Sequence, residues 1–218
     1  TLYFSFMFIG IQNSWFYTWD SLEIVFFIFF SWGIWQQQPA LYFVILFFVA
    51  LTNKESAIFI AVFVALDAFQ FIKKKDAFFP RIKLASWKKL IGGALLTFFG
   101  VAYTKLIRDY LYFGDDSSHA VLGNHFTLTD NLYNFFVVNM SSSEVINTIF
   151  VVWLVIYLLW VFKRYEDQDY KALLIILLIV FSIFLFGLVN ETRIYATLLP
   201  FILFFHLRFY QPKLDSVS

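Results

Sequence analysis

Two short polar stretches stand out in this chain, because each places an acid and a base beside each other at the start of an apolar run. LTNKESAIF carries Lys54 and Glu55, and GLVNETRIYATLLP carries Glu191 and Arg193. Lysine and arginine bind phosphate oxygens, and carboxylates accept hydrogen bonds from hydroxyl groups. If the two stretches meet in space, their side chains would suit a ligand that bears a phosphate and several hydroxyls.

The composition of the chain indicates a membrane protein. Of its 218 residues, 61% are hydrophobic and only 14% are charged, whereas soluble domains carry about 25% charged residues. Apolar runs of membrane-helix length recur from one end to the other. The sequence therefore predicts an all-α fold: a polytopic transmembrane helical bundle of about seven or eight membrane segments, forming one domain over residues 1–218. The absence of cysteine excludes disulfides and thiolate metal sites.

The individual helices are predicted from the apolar runs and the polar residues between them. The chain starts inside an apolar run with no basic region before it, so this start is not a signal peptide. We therefore expect further residues to precede Thr1. The predicted segments are 1–11, 20–36, 39–52, 54–72, 87–108, 144–162, 171–189 and 191–208.

The basic residues predict which side of the membrane each loop faces. Residues 73–89 contain seven lysines and arginines and one acid, whereas residues 109–143 contain no lysine or arginine and four acids. Because cytoplasmic loops retain lysine and arginine, the first stretch is expected in the cytoplasm and 109–143 forms an outward-facing loop. Both chain ends are then cytoplasmic, in the inner membrane of a bacterium. The outward polar residues include Asp20, Glu23, Lys54, Glu55, Glu191 and Arg193.

A purely structural interpretation of LTNKESAIF is also open. Thr52 and Glu55 have the spacing of a capping box, in which a hydroxyl and a carboxylate satisfy the free amides of a helix start. Lys54 opposes the helix dipole at that position, but its long side chain could extend to the lipid headgroups. In that case the stretch would have no binding role.

The predicted third segment is short for a membrane helix. From Pro39 to Thr52 the chain spans about 21 Å as a helix, against a hydrocarbon core of about 30 Å. Either this helix begins within Gln36–Gln38, or the following turn lies below the outer surface. A re-entrant hairpin of the second and third segments is a further alternative.

The remaining ionisable residues give weaker signals. Asp67 is predicted to pair with one of Lys73–Lys75, one to two helical turns further on. His119 and His125 lie in the acidic outer loop, where solvated histidines are commoner than metal ligands. We therefore expect no metal site and no cofactor.

The two opening stretches carry a family resemblance. TNKESAIF, followed two or three helices later by ETRIYATLLP, resembles multi-spanning bacterial proteins related to the glycosyltransferase-C (GT-C) superfamily, over roughly residues 15–208. Those enzymes transfer sugars from polyprenyl-phosphate donors on the outer face. The resemblance implies that Lys54, Glu55, Glu191 and Arg193 bind the donor phosphate or the acceptor hydroxyls.

The chain departs from that family in the region of the catalytic carboxylate. The family carries this residue in the first outer loop, which is here absent or reduced to QNSWFYTWD, residues 12–20, with Asp20 as its one acid. Asp20 therefore joins the candidate substrate-binding residues, and the catalytic residue stays unassigned.

Three functions follow as hypotheses. The first is a GT-C-like membrane glycosyltransferase that uses polyprenyl-phosphate-linked sugars, the second is a non-catalytic subunit of a larger membrane complex, and the third is a transporter or flippase. The partners expected are membrane lipids, a lipid-linked sugar or other membrane subunits, and no nucleic acid.

Overall fold

The computed structural model describes residues 18–72, 80–111, 128–133, 167–186 and 197–210, and these are mostly helical. A two-stranded sheet interrupts the helices after the first third of the chain. In chain order the elements are α1 (Thr18–Trp35), α2 (Ala40–Leu51), a 3-10 turn (Glu55–Ala57), α3 (Ile58–Leu66), β1 (Phe69–Ile72), β2 (Arg81–Leu84), α4 (Trp87–Leu111), α5 (Leu128–Tyr133), α6 (Asp167–Phe186) and α7 (Leu199–Tyr210).

The prediction of an all-α transmembrane bundle with seven or eight membrane segments is wrong. Within the described residues, one helical stretch, Trp87–Ile107, is long and apolar enough to cross a membrane. The apolar helical stretches Ser21–Trp35, Ala40–Leu51 and Glu55–Leu66 are shorter, with 10–17 residues each. The physical reason in the first part of the chain is that α1, α2 and α3 have 18, 12 and 9 residues and reach less than the about 30 Å of a hydrocarbon core. The predicted segments 1–11 and 144–162 lie outside the described residues.

A tight turn joins α1 to α2. Gln37 has a positive φ of 52°, and the Gln38 N–H donates to the Gly33 carbonyl at 2.9 Å, which is the 6→1 bond of a Schellman helix end. Pro39 follows in extended conformation as the N-cap of α2. The interpretation in which this helix begins within 36–38 is therefore wrong, and α2 has 12 residues, about 18 Å.

α3 and α4 pack against each other in antiparallel directions at a short distance. A Cβ added to Gly93 would overlap the Ala65 backbone, and one added to Gly100 would lie 3.1 Å from Cγ1 of Ile58. From the first contact to the second, the residue number rises by seven in α4 and falls by seven in α3. Glycine at position 93 is what permits the two backbones to approach this closely.

The buried centre of the molecule is an aromatic cluster around Phe30 of α1, which is fully buried. Its ring lies 5.9 Å from Phe27, 6.1 Å from Phe43, 5.5 Å from Phe63 and 5.5 Å from Phe201, centroid to centroid, each in edge-to-face geometry. Such pairs add to the energy of burial. One phenylalanine thereby joins α1, α2, α3 and α7.

The continuous helix predicted over 54–72 is also wrong, because its last part is strand β1. β1 pairs antiparallel with β2, and Phe71 on β1 is buried and stacks on Tyr170 of α6 at 6.2 Å between ring centroids. Its neighbours Gln70 and Ile72 are exposed. This alternation has the period of two that defines a strand with one buried face.

Large apolar side chains cover much of the outer surface of the described helices. Soluble monomers seldom expose contiguous apolar patches of more than a few hundred Å². The exposed residues include Leu22, Val25, Phe29 and Trp32 on α1, Ile45 and Phe48 on α2, Ile91, Leu95, Phe98 and Leu106 on α4, and Leu177 and Phe181 on α6.

The adjacent glycines Gly92 and Gly93 provide a matched test of the α3–α4 contact. We expect Gly93→Ala to lower the free energy of unfolding by about 1–3 kcal/mol or more, because the new methyl group meets backbone that cannot yield. A Cβ on Gly92 meets nothing within 4 Å, so Gly92→Ala should be neutral or stabilise by about 0.5–1 kcal/mol. Thermal unfolding in detergent measures both, and equal effects would contradict the close approach.

Candidate functional site

An ion pair links the LTNKESAIF turn to α1. The Lys54 Nζ donates to Oε2 of Glu23 at 2.6 Å, and the exposed fractions of the two side chains are 33% and 8%. Glu23 lies near the start of α1, and Lys54 precedes the 3-10 turn in extended conformation. The sequence placed Glu23 on the same side as Lys54 but did not select it as a site residue. Their predicted location on the same side of the membrane was the signal from which the pairing could have been inferred.

The capping-box prediction is wrong. Thr52 is the C-cap of α2, and its hydroxyl donates back to the Val49 carbonyl at 2.7 Å. The N-cap of the following 3-10 turn is Lys54, without a capping bond from its side chain. Thr52 therefore ends one helix instead of starting the next. The cation at position 54 has its explanation in the Glu23 carboxylate.

The LTNKESAIF turn lies beside α4, at a level before the end of that helix. Gly100 lies beside Ile58. Because the two helices are antiparallel, moving back four residues from Ile58 corresponds to moving forward four residues from Gly100. Lys54 therefore lies at about the level of Thr104. The 3-10 turn also contacts α4 directly. From Thr104, α4 continues to Leu111, about 10 Å further along its axis. Glu55, exposed to solvent in the 3-10 turn, lies at the same level along α4.

The other predicted site residues are only partly described. Asp20 lies in the first turn of α1, one helical turn before Glu23. Glu191 and Arg193 lie outside the described residues, so their proximity to the Lys54 turn stays a prediction. His119 and His125, and most of the 109–143 loop, lie outside them as well.

A second ionic cluster lies at the opposite end of α3. Oδ2 of Asp67 accepts from Lys89 at 2.5 Å, and Oδ1 accepts from Lys171 at 2.9 Å. The side chain of Lys171 is 4% exposed and that of Lys89 is 41% exposed. The predicted partners Lys73–Lys75 lie outside the described residues. The sequence missed both observed partners, although it placed them at the same end of the helices as Asp67.

The two clusters differ in what they can do. Asp67 joins the ends of α3, α4 and α6, and the near-complete burial of Lys171 makes this cluster a structural junction. The Glu23–Lys54 pair is partly open and has the exposed Glu55 beside it. An ammonium with adjacent carboxylates can bind a phosphate and sugar hydroxyls. Among the described residues, no three His, Asp or Glu side chains are placed to hold a metal ion.

The Asp67 junction predicts unequal effects of removing its members. Asp67→Asn should destabilise the protein by about 3 kcal/mol, because it takes the carboxylate away from the buried Lys171 ammonium. Lys89→Gln should cost less than about 1 kcal/mol, since that ammonium is well exposed. Chemical or thermal unfolding of the two variants tests this order. A larger loss for Lys89→Gln would contradict the assignment.

The chain was compared with known proteins at three levels. No protein-family model, no curated protein and no solved structure matches it.

Proposed function

We propose that this chain is an integral membrane protein that binds a polyprenyl-phosphate-linked sugar at the extracytoplasmic face, as a GT-C-like glycosyltransferase does. The observation that supports this most directly is the partly buried Glu23–Lys54 ion pair with Glu55 beside it.

The apolar outer surface supports a location in the membrane. α4 contains a stretch of membrane-spanning length, Trp87–Ile107, most of whose residues are exposed. In water such a surface would be strongly unfavourable, because apolar area costs about 25 cal/mol for each Å² left exposed. Lipid acyl chains remove that cost. The exposed stripe Leu22, Val25 and Phe29 on α1 calls for the same environment.

The Lys54 ammonium is the group proposed to bind the donor phosphate. A third of its side chain is exposed, and the largely buried Glu23 carboxylate holds it in place. Its level, about 10 Å below the end of α4, is where the headgroup of an amphiphilic ligand would lie if the polyprenyl tail follows the apolar helix surfaces. A buried or recessed ionisable pair within apolar helices is a frequent mark of a substrate site.

Glu55 is proposed to bind the sugar. It is exposed, directly follows Lys54, and a carboxylate accepts hydrogen bonds from neighbouring hydroxyls. Sugar transfer would break the bond between the anomeric carbon and the phosphate oxygen and form a bond to an acceptor hydroxyl, whose proton passes to a base. Asp20, one turn before Glu23, is near this level of the molecule, and the base itself is not assigned.

A second candidate is an accessory subunit of a larger membrane complex. The observation in its favour is the exposure of large aromatic side chains on α4: Trp87, Phe98 and Tyr110. Aromatic residues are enriched in protein interfaces. In this case both ionic clusters would serve only to join helices.

Ligand binding separates the two candidates. For purified full-length protein, we expect Lys54→Gln to weaken binding of polyprenyl phosphate by about 10-fold or more, because a charge-assisted hydrogen bond is lost. Glu55→Gln should weaken binding of the sugar-bearing lipid but not of the bare polyprenyl phosphate. Lys105→Gln serves as the control, because it removes an exposed cation from the C-terminal half of α4. This variant should bind the lipid normally.

Thermal unfolding of each variant, measured alongside, distinguishes loss of binding from loss of the fold. Lys54→Gln also leaves Glu23 without its ammonium, so Glu23→Gln/Lys54→Gln should regain part of the lost stability without regaining affinity. Normal lipid binding by both Lys54→Gln and Glu55→Gln would exclude the binding site and favour the accessory subunit.

The proposed sidedness has its own test in this cysteine-free chain. A single cysteine at Ser118 should react with a membrane-impermeant maleimide in intact cells, and a single cysteine at Ser86 should not, because residues 73–89 are expected in the cytoplasm. Permeabilised cells provide the control for reactivity at Ser86. The reverse labelling pattern would place the Lys54 turn on the cytoplasmic side and refute the proposal.

A further inference from the structure

The β1–β2 hairpin and the first turn of α4 form a surface with positive charge, which we call the basic hairpin surface. Arg81, Lys83 and Lys88 are exposed on it. Within its described residues, 69–72 and 80–88, the sequence contains no aspartate or glutamate. Residues 69–72 and 80–88, the described part of this surface, therefore present three exposed cations with no acid among them.

Large apolar side chains are exposed near these cations, with Ile72 on the hairpin face of Arg81 and Lys83, and Ile82 on the opposite face. Ile72 is 47% exposed, Ile82 is 61% exposed and Trp87 is 67% exposed. Ile72 is the cross-strand partner of Arg81, so an apolar and a basic residue lie side by side. Cations alternating with exposed tryptophan and isoleucine are typical of segments at a membrane interface.

The basic hairpin surface is held in a fixed position at the start of α4. The Ala85 N–H donates to the Ala68 carbonyl at 2.7 Å, which closes the base of the hairpin. Phe71 stacks on Tyr170 and ties β1 to α6. Directly beyond the first turn of α4, Ile91 begins its exposed apolar face. The cations are thus placed at the edge of the surface that acyl chains would cover.

We propose that the basic hairpin surface binds the anionic headgroups of phospholipids, with Trp87, Ile72 and Ile82 at the boundary between headgroups and acyl chains. The exposed isoleucines and the continuity with the apolar face of α4 favour lipid over nucleic acid, whose backbone needs the cations alone. Basic residues near a membrane surface each attract anionic lipid with an energy comparable to RT or above. The inference rests on the proposed membrane location but not on binding of a lipid-linked sugar.

The test compares bilayers of two compositions, using full-length protein in nanodiscs. We expect the Tm of the wild type to be about 5 °C higher with about 30% phosphatidylglycerol than with phosphatidylcholine alone. This increment should fall at about 0.5 M NaCl, because salt screens exposed charges. Arg81→Gln/Lys83→Gln/Lys88→Gln should lose the increment while keeping the wild-type Tm in phosphatidylcholine.

Single substitutions give the matched control and keep the test valid if the triple variant folds poorly. Lys83→Gln should remove roughly a third of the increment, and Lys105→Gln, an exposed cation on the other half of α4, should remove little of it. The proposal is overturned if the triple variant keeps the increment or if Lys105→Gln removes as much as Lys83→Gln. It is also overturned if an oligonucleotide, and not phosphatidylglycerol, raises the Tm.

Discussion

The close antiparallel contact of α3 and α4 is the constraint on which the rest of the structure depends. Because Gly93 has no side chain, the Ala65 backbone can approach it, and this fixes how far one helix slides along the other. At one end the contact brings Lys89 to Asp67. At the other it places Lys54 at a level about two turns before the end of α4, where Glu23 pairs with it. The steric fit between the two backbones thus sets the Asp67–Lys89 pair and the level of Lys54 along α4.

The sequence predicted the positions of the helices better than it predicted the number of membrane-spanning segments. Apolar runs correctly predicted helices close to α1, α2, α4 and α6. The fold class failed because short apolar runs were counted as membrane segments, although the helices they form, such as α2 with 12 residues, are too short to cross a hydrocarbon core. β1 was missed because four apolar-rich residues, FQFI, fit a helix and a strand equally well.

The candidate site, like the fold, was predicted from the sequence only in part. Lys54 drew attention in the sequence because a cation opposes the dipole of a helix start, and the structure supplies the reason, a carboxylate 31 residues away in the chain. Thr52 misled because spacing alone cannot tell the end of one helix from the start of the next. The Asp67–Lys171 pair had no local signal at all. Pairing between distant segments depends on how helices pack, which no sequence window contains.

The separation of Asp67 and Lys171 has a consequence for how the protein is made. The two residues are 104 positions apart, which ribosomes translate in roughly 5–20 s at about 5–20 residues per second. In the later part of that interval α1 to α4 have been synthesised and Asp67 can pair with Lys89, but α6 has not yet been synthesised. Phe201, which completes the ring of aromatic partners around Phe30, arrives later still. The C-terminal helices therefore dock onto an N-terminal unit that has to hold its charged carboxylate through this delay with one lysine in place of two.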